Sequence, residues 1–254
     1  MKKNLYYRQN IGRQNMLKSL ILSYFFTFSS WPRLLLEVFI RKNFGERYFT
    51  LSSAVTVFSI LFLLPGFLQI SNVMFQEFHF GKFMAKYASW YVFLFLFLRV
   101  SLKHNRDKKR NPSVFDFAKF SLYAGEIDPR FYRLKIPFRK SNPRTVEIFS
   151  EPLIFFLGGI GLYLLAQPLG MLLIVCSLFY SLGYAGAYHI GDNFVMDKID
   201  EMICNEELED SFVNDKDPSE TRGFRFYGKK PNDQEMRRKV ASLMTVDEEI
   251  YEAR

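Results

Sequence analysis

Residues 152–191 read PLIFFLGGIGLYLLAQPLGMLLIVCSLFYSLGYAGAYHIG, forty consecutive positions without Asp, Glu, Lys or Arg. A helix rises about 1.5 Å per residue and a bilayer's hydrocarbon core is roughly 30 Å thick, so the stretch is too long for one crossing and long enough for two. Ala166-Gln167-Pro168 falls in its middle, and proline, which lacks an N–H and clashes with the preceding turn, marks a tight hairpin there. Spans over 152–166 and 169–190 follow. The first is short unless its helix enters earlier, capped by Asn142 with Pro143 in the first turn and kinked near Pro152.

Two further apolar blocks lie upstream. No charged side chain occurs from Phe49 to Gln76, which predicts a span over 49–72. Tyr87 to Leu98 gives only twelve apolar residues between Lys86 and Arg99; Phe83 and Met84 lengthen it, and the two flanking cations can snorkel to the interfaces, so a span over 82–101 is expected. Residues 16–40 are greasy too, but Lys18, Pro32, Arg33 and Glu37 interrupt them. They suit an interfacial helix with Trp31 at headgroup depth better than a fifth span. The long polar leader and the lack of a small-x-small cleavage site argue against a secretory signal. The fold class expected is therefore all-α and polytopic, with about four transmembrane helices, an N-terminal interfacial helix and cytoplasmic helical segments.

Composition excludes other classes. With 49% hydrophobic residues, 29 Phe and two Cys, the chain is neither disordered nor a disulfide-stapled module. The net charge of +8 is unevenly divided. Residues 1–48 hold nine Lys/Arg against two acids, and residues 101–151 hold twelve against six. The links near 75–81 and at 167–168 carry no Lys or Arg. Basic segments stay inside, so four spans put both termini and the 101–151 connection in the cytoplasm, the expected site being a bacterial inner membrane. Beyond residue 191 the sign reverses, with ten Lys/Arg against seventeen acids. The chain thus divides into a basic N-terminal region (1–48), a first hairpin (49–101), a basic connection (102–151), a second hairpin (152–190) and an acidic helical tail (191–254).

In the connection, Lys103, Arg106, Lys108, Lys109 and Arg110 form a polybasic cluster beside a span, which points to anionic lipid headgroups rather than nucleic acid. Ser113 with Asp116 predicts a short helix through Tyr123 stopped at Gly125, and Asp128-Pro129 a second cap. In the tail, Val195, Ile199, Met202 and Ile203 recur at helical spacing, so the fourth span runs on. Residues 213–232 read as a loop, and Asp233 opens a helix striped by Met236, Val240, Leu243 and Met244. Phe224, Phe226 and Tyr227, with Met236, Val240 and Leu243, are the expected partner contacts.

Chemistry is sparse. His79, His104 and His189 are not spaced as zinc ligands, Cys176 and Cys204 are too far apart in topology to bridge, and no phosphate loop or nucleophile elbow occurs. Neither cofactor nor metal is expected. Asp197, Asp200 and Glu201 read as a solvated acidic face. Gly158 and Gly161, with Ser177, Ser181 and Ala185, form smooth faces for close helix packing or for a second copy of the chain. The expectation is a non-enzymatic subunit or scaffold of a larger membrane complex, homo-oligomeric or bound to other subunits. Its Phe-rich helices and tail resemble, in general character only, accessory membrane proteins of bacterial secretion or conjugation systems; that resemblance assigns no residue. The alternatives are an oligomeric pore lined by Ser52, Ser53, Thr56 and Ser59, and a lipid-modifying enzyme with a site near Gly45–Tyr48, Glu147, Glu151 and His189.

Overall fold

The computed structural model describes residues 2–12, 16–75, 80–107, 120–133 and 142–247. The chain is all-α: α1 (Met16–Ile40), α2 (Leu51–Phe75), α3 (Phe80–Asp107), α4 (Pro129–Arg133), α5 (Pro143–Leu164), α6 (Pro168–Phe212) and α7 (Gln234–Met244). A minimal antiparallel ribbon pairs β1 (Lys2–Asn4) with β2 (Thr245–Asp247), Lys3 opposite Val246. Four of the helices, α2, α3, α5 and α6, are long and apolar enough to cross a membrane. Their outward residues include Leu63 and Phe67 on α2, Phe95 on α3, Leu157 on α5 and Leu178 on α6, all exposed. Such a surface is an aggregation hazard in water and an ordinary one in lipid.

The caps form where their chemistry predicts. Asn142 Oδ1 accepts from Thr145 N at 2.8 Å with Pro143 in the first turn, so the third span gains its length at its N-terminal end. Its turns widen to π geometry over Val146–Ser150, directly before Pro152, which cannot donate to the turn behind it. α5 and α6 are joined by Ala166 at φ 57° and by Gln167, the hairpin tip. Asp128 Oδ1 accepts from Arg130 N, and Asp233 caps α7 by accepting from Glu235 N and Met236 N.

The chain divides into two compact units, Leu22–Ala187 and Met1–Ile21 with Tyr188–Arg254. In the first, α2 packs on α3, Trp90 Nε1 donating to Leu61 O, and Ser89 Oγ donates to Gln167 Oε1. The strand-like segment after α1 lies against residues 120–126: Gly45 N donates to Tyr123 O and Arg47 N to Ser121 O, while Lys42 bridges Glu126. A Cβ on Gly45 would overlap the Ser121 carbonyl, so only glycine permits this approach. The helix expected through Tyr123 is corrected at this end, where residues 120–123 form a turn; the Ser113 and Asp116 cap falls outside the described residues. Along α1, Leu34, Leu35, Leu36 and Val38 are buried in protein, while Leu17, Leu20, Ile21, Tyr24 and Phe28 are exposed.

In the second unit, Tyr6, Tyr7, Cys204, Leu208, Phe212, Val213 and Phe224 form a core, with Ile203, Phe226 and Val240 packed against it. The N-terminal arm is sewn into the tail by Asn4 N donating to Glu201 Oε1 at 3.3 Å and by Tyr227 N donating to Tyr6 Oη at 2.7 Å. Burial first, then Asp197 and Asp200, push the Tyr7 phenol up to about 12. Arg8 lies 3.6 Å from Glu201, one place where the basic arm meets the acidic tail.

Candidate functional site

Arg33 and Glu37 on α1 and Arg41 just past its end stand four residues apart, and with Arg41 N still donating to Glu37 O the three share one face. The same spacing places Tyr180 above Tyr184 on α6 and Glu147 above Glu151 on α5. The three rows converge in the Leu22–Ala187 unit, where Glu37, Arg41, Glu151 and Tyr180 are each at most 1% exposed. Arg41 presents its planar fork to Glu151, Nε donating to Oε1 at 3.1 Å and Nη2 to Oε2, while Glu147 Oε1 lies 3.1 Å from Nη2. Tyr180 Oη donates to Glu151 Oε2 at 2.5 Å.

Glu37 is held as fully. Tyr184 Oη donates to its Oε1 at 2.7 Å and Tyr48 Oη reaches both oxygens at 2.8 Å, with Arg33 Nε 3.0 Å from Oε1. Burial first, then the Glu37 carboxylate, raise the Tyr48 phenol well above its ordinary range. The guanidinium groups stack as well: Arg33 lies 5.0 Å and Arg41 4.6 Å from the Tyr184 ring centroid. A buried ion pair is tolerated only when its remaining lone pairs and protons are occupied, and Tyr180 supplies that for Glu151, Tyr184 and Tyr48 for Glu37. The arrangement fastens α1 to α5, α6 and the Tyr48 segment. His104 extends it from α3, Nε2 lying 2.9 Å from Val38 O with the ring edge-on to Phe44.

This cluster was legible only in fragments. Glu147, Glu151 and Tyr48 were candidates for an interfacial enzyme, and the structure brings them together; His189 is not among them, being exposed in the other unit beside Asn193 Nδ2 at 3.0 Å. Arg33, Glu37 and Arg41 were missed as a group. In the sequence they look like interruptions of an apolar run, and their strict four-residue spacing was the available signal.

The packing residues are redistributed. Gly158 and Gly161 face open space; the close approach is made by Gly159, where a Cβ would lie 2.9 Å from Gly170 O, and by Gly170, where it would overlap the Tyr163 backbone. The small face of α6 packs on α1 rather than on α5: a Cβ at Gly183 would meet Ser29 and Arg33, and one at Gly186 would meet Phe26. Ser177 is buried and donates to Ile174 O; Ser181 and Ala185 are half-buried. Lys103 and Arg106 are exposed on α3, whereas Lys108, Lys109 and Arg110, like His79, lie outside the described residues.

Of the expected partner contacts, Phe224 belongs to the tail unit's own core and the half-buried Phe226 and Val240 pack against it, with the Tyr6 and Phe226 rings stacked at 4.5 Å. Tyr227, Met236 and Leu243 remain exposed. Glu201 is engaged by Asn4 N and by Lys198 Nζ at 2.7 Å, while Asp197 and Asp200 are exposed. Cys176 and Cys204 are free and buried. Among the described residues no group of three His, Cys, Asp or Glu is placed to hold a metal ion. No family model, curated protein or solved structure matches this chain.

Proposed function

We propose that the chain is a non-catalytic, multi-pass subunit or scaffold of a larger membrane complex, docking protein partners through its tail. The observation that carries this reading is the way the buried carboxylates are occupied. Glu37 is closed in by the Tyr184 and Tyr48 hydroxyls beside the Arg33 guanidinium, and Glu151 by the Tyr180 hydroxyl and the Arg41 guanidinium, which suits a fastening and leaves neither carboxylate open to a reacting group. The tail, by contrast, keeps Tyr227, Met236 and Leu243 in the open on a folded support.

Topology follows from parity in this reading. β1 pairs with β2, and Asn4 with Glu201, so residues 2–11 and the tail lie on one side of the membrane and the crossings between them are even in number. The four apolar helices supply an even number, and α1 then does not cross. Two features support its lying across the bundle. Residues 25 to 41, α1 and the residue that ends it, cover about 24 Å of its axis, yet their partners on α6, Phe179 to Gly186, cover only about 10 Å. On its outward side, Ser19, Thr27 and Ser30 return their hydroxyls to carbonyls one turn back, the usual accommodation of a hydroxyl in an apolar setting. Retention of Lys/Arg-rich segments gives a cytoplasmic location for both termini, in an inner membrane of bacterial type.

Single-cysteine variants in a C176S/C204S background test the topology. Cysteine at residue 167 should react with an impermeant reagent from outside intact cells, and cysteine at 126 or 229 only after lysis. Partner docking is tested by purification in mild detergent: Y227A/M236A/L243A should keep its fold and lose co-purifying subunits, and wild-type protein that emerges as a bare monomer would overturn the scaffold.

A further inference from the structure

The C-terminal end of α3 shows two faces. Leu94, Phe97, Ser101 and His104 recur at helical spacing and are buried in protein. Phe95, Arg99, Leu102, Lys103 and Arg106 recur at three- and four-residue spacing on a neighbouring face, and all five are exposed. An open groove of about 700 Å³ lies against that second face, lined by these five and by the half-buried Leu98. The sequence alone groups Lys103 and Arg106 with the charges that follow them; the helix groups them with Arg99.

Arg99, Lys103 and Arg106 have neither a hydrogen-bond nor an ion-pair partner among the described residues, and Asp107, the nearest acid in sequence, pairs with none of them. Arg41, Lys198 and Lys230, by contrast, are each closed by a carboxylate. Three like charges within about 10 Å of helix axis repel one another, which favours an anion between them. Their depth narrows its nature. Arg99 ends the uncharged run that begins at Tyr87, so it stands where a span meets the headgroups and phosphate oxygens are the abundant acceptors. On the membrane side of it the groove is walled by Phe95 and Leu98. The occupant must therefore offer negative charge at one end and hydrocarbon at the other. Inorganic phosphate and nucleic acid meet only the first demand, and an uncharged lipid only the second.

We infer that this face of α3 is a binding site for one anionic glycerophospholipid, its phosphate held by Arg99, Lys103 and Arg106 and an acyl chain laid along Phe95 and Leu98. The inference rests on the multi-pass reading above. It adds a single bound lipid on a defined helix face to the diffuse attraction that any basic loop feels towards an anionic leaflet.

The test is native mass spectrometry of the full-length protein, stripped of lipid in mild detergent and titrated with phosphatidylglycerol, phosphatidylcholine or inorganic phosphate. Wild type should take up one phosphatidylglycerol ahead of any further adduct, and phosphatidylcholine more weakly. Arg99→Gln should weaken that first uptake about fivefold, the equivalent of the about 1 kcal/mol a basic side chain gains at an anionic surface. R99Q/K103Q/R106Q should weaken it about a hundredfold. All three side chains are exposed, so the packed face of α3 stays intact in both variants. K82Q/K86Q, which removes charge at the opposite end of the same helix, should bind as wild type does. Uptake by R99Q/K103Q/R106Q equal to wild type, or an equal loss in K82Q/K86Q, overturns the site. Displacement of phosphatidylglycerol by inorganic phosphate, or equal uptake of phosphatidylcholine, overturns the anionic lipid as its occupant. The multi-pass reading fails separately, through protein that leaves membranes without detergent.

Discussion

Arg41 and Glu151, 110 residues apart in the chain, meet fork to fork: Nε donates to Oε1 at 3.1 Å, Nη2 to Oε2, and both side chains are at most 1% exposed. The pair ties the end of α1 to the third span within the Leu22–Ala187 unit.

Breaking that pair on one side leaves an unmatched buried charge. Arg41→Met alone, or Glu151→Leu alone, should cost about 3–5 kcal/mol, whereas the double replacement should recover most of that loss. Thermal unfolding in detergent reads the cycle, and strictly additive losses would show that the two side chains are not coupled.

Gly170 and Gly158 should respond in opposite directions to the same substitution. A methyl at Gly170 overlaps the Tyr163 backbone, so Gly170→Ala should destabilise the hairpin by about 1–3 kcal/mol. A methyl at Gly158 meets nothing, and Gly158→Ala should be neutral or stabilising by up to about 1 kcal/mol through helix propensity. Melting temperatures of the two variants, compared side by side, check the assignment; equal losses would refute it.

In the tail, Phe224→Ala should remove core packing and cost about 3 kcal/mol or more, judged by protease resistance of residues 188–247. Tyr227→Ala, at an exposed ring, should leave that resistance within about 0.5 kcal/mol of wild type. A protease-sensitive Tyr227→Ala would place that ring in the core instead.

Acid should loosen the loop between α6 and α7. Hydrogen bonds from Lys230, then Arg237, hold the Asp215 carboxyl below its ordinary range. A carboxyl depressed in the folded state stabilises that state fully above its unfolded value of about 3.9 and progressively less as pH falls towards the folded value. Hydrogen exchange around residues 213–237 should therefore quicken on acidification through that window. Asp215→Asn should be faster at neutral pH and lack that acid-dependent step; an unchanged step would assign it to another group.

The four spanning helices were legible because uncharged runs of membrane length leave few alternatives, and the caps at Asn142 and Asp233 because a short polar side chain before a helix has one job to do. The site was harder to read. Glu37 becomes a partner of Tyr184 only when α1 lies against α6, and Glu151 a partner of Tyr180 only when α5 does, and nothing local in these segments encodes either meeting. Gly158 and Gly161 looked equivalent to Gly159, because which glycine faces a neighbouring helix depends on rotation about the α5 axis, and composition carries no record of it. Phe224 and Phe226 read as partner contacts in the sequence because the arm that covers them, Tyr6 and Tyr7, lies at its far end.

That arm imposes a schedule on biosynthesis. Lys2 leaves the ribosome 245 residues ahead of Asp247, its partner in the ribbon, a delay of roughly 12–50 s at 5–20 residues per second. Throughout that interval every transmembrane segment is being inserted while Tyr6 and Tyr7 wait uncovered, so a nascent chain that stalls before Phe224 exposes a ready handle for chaperones and proteases.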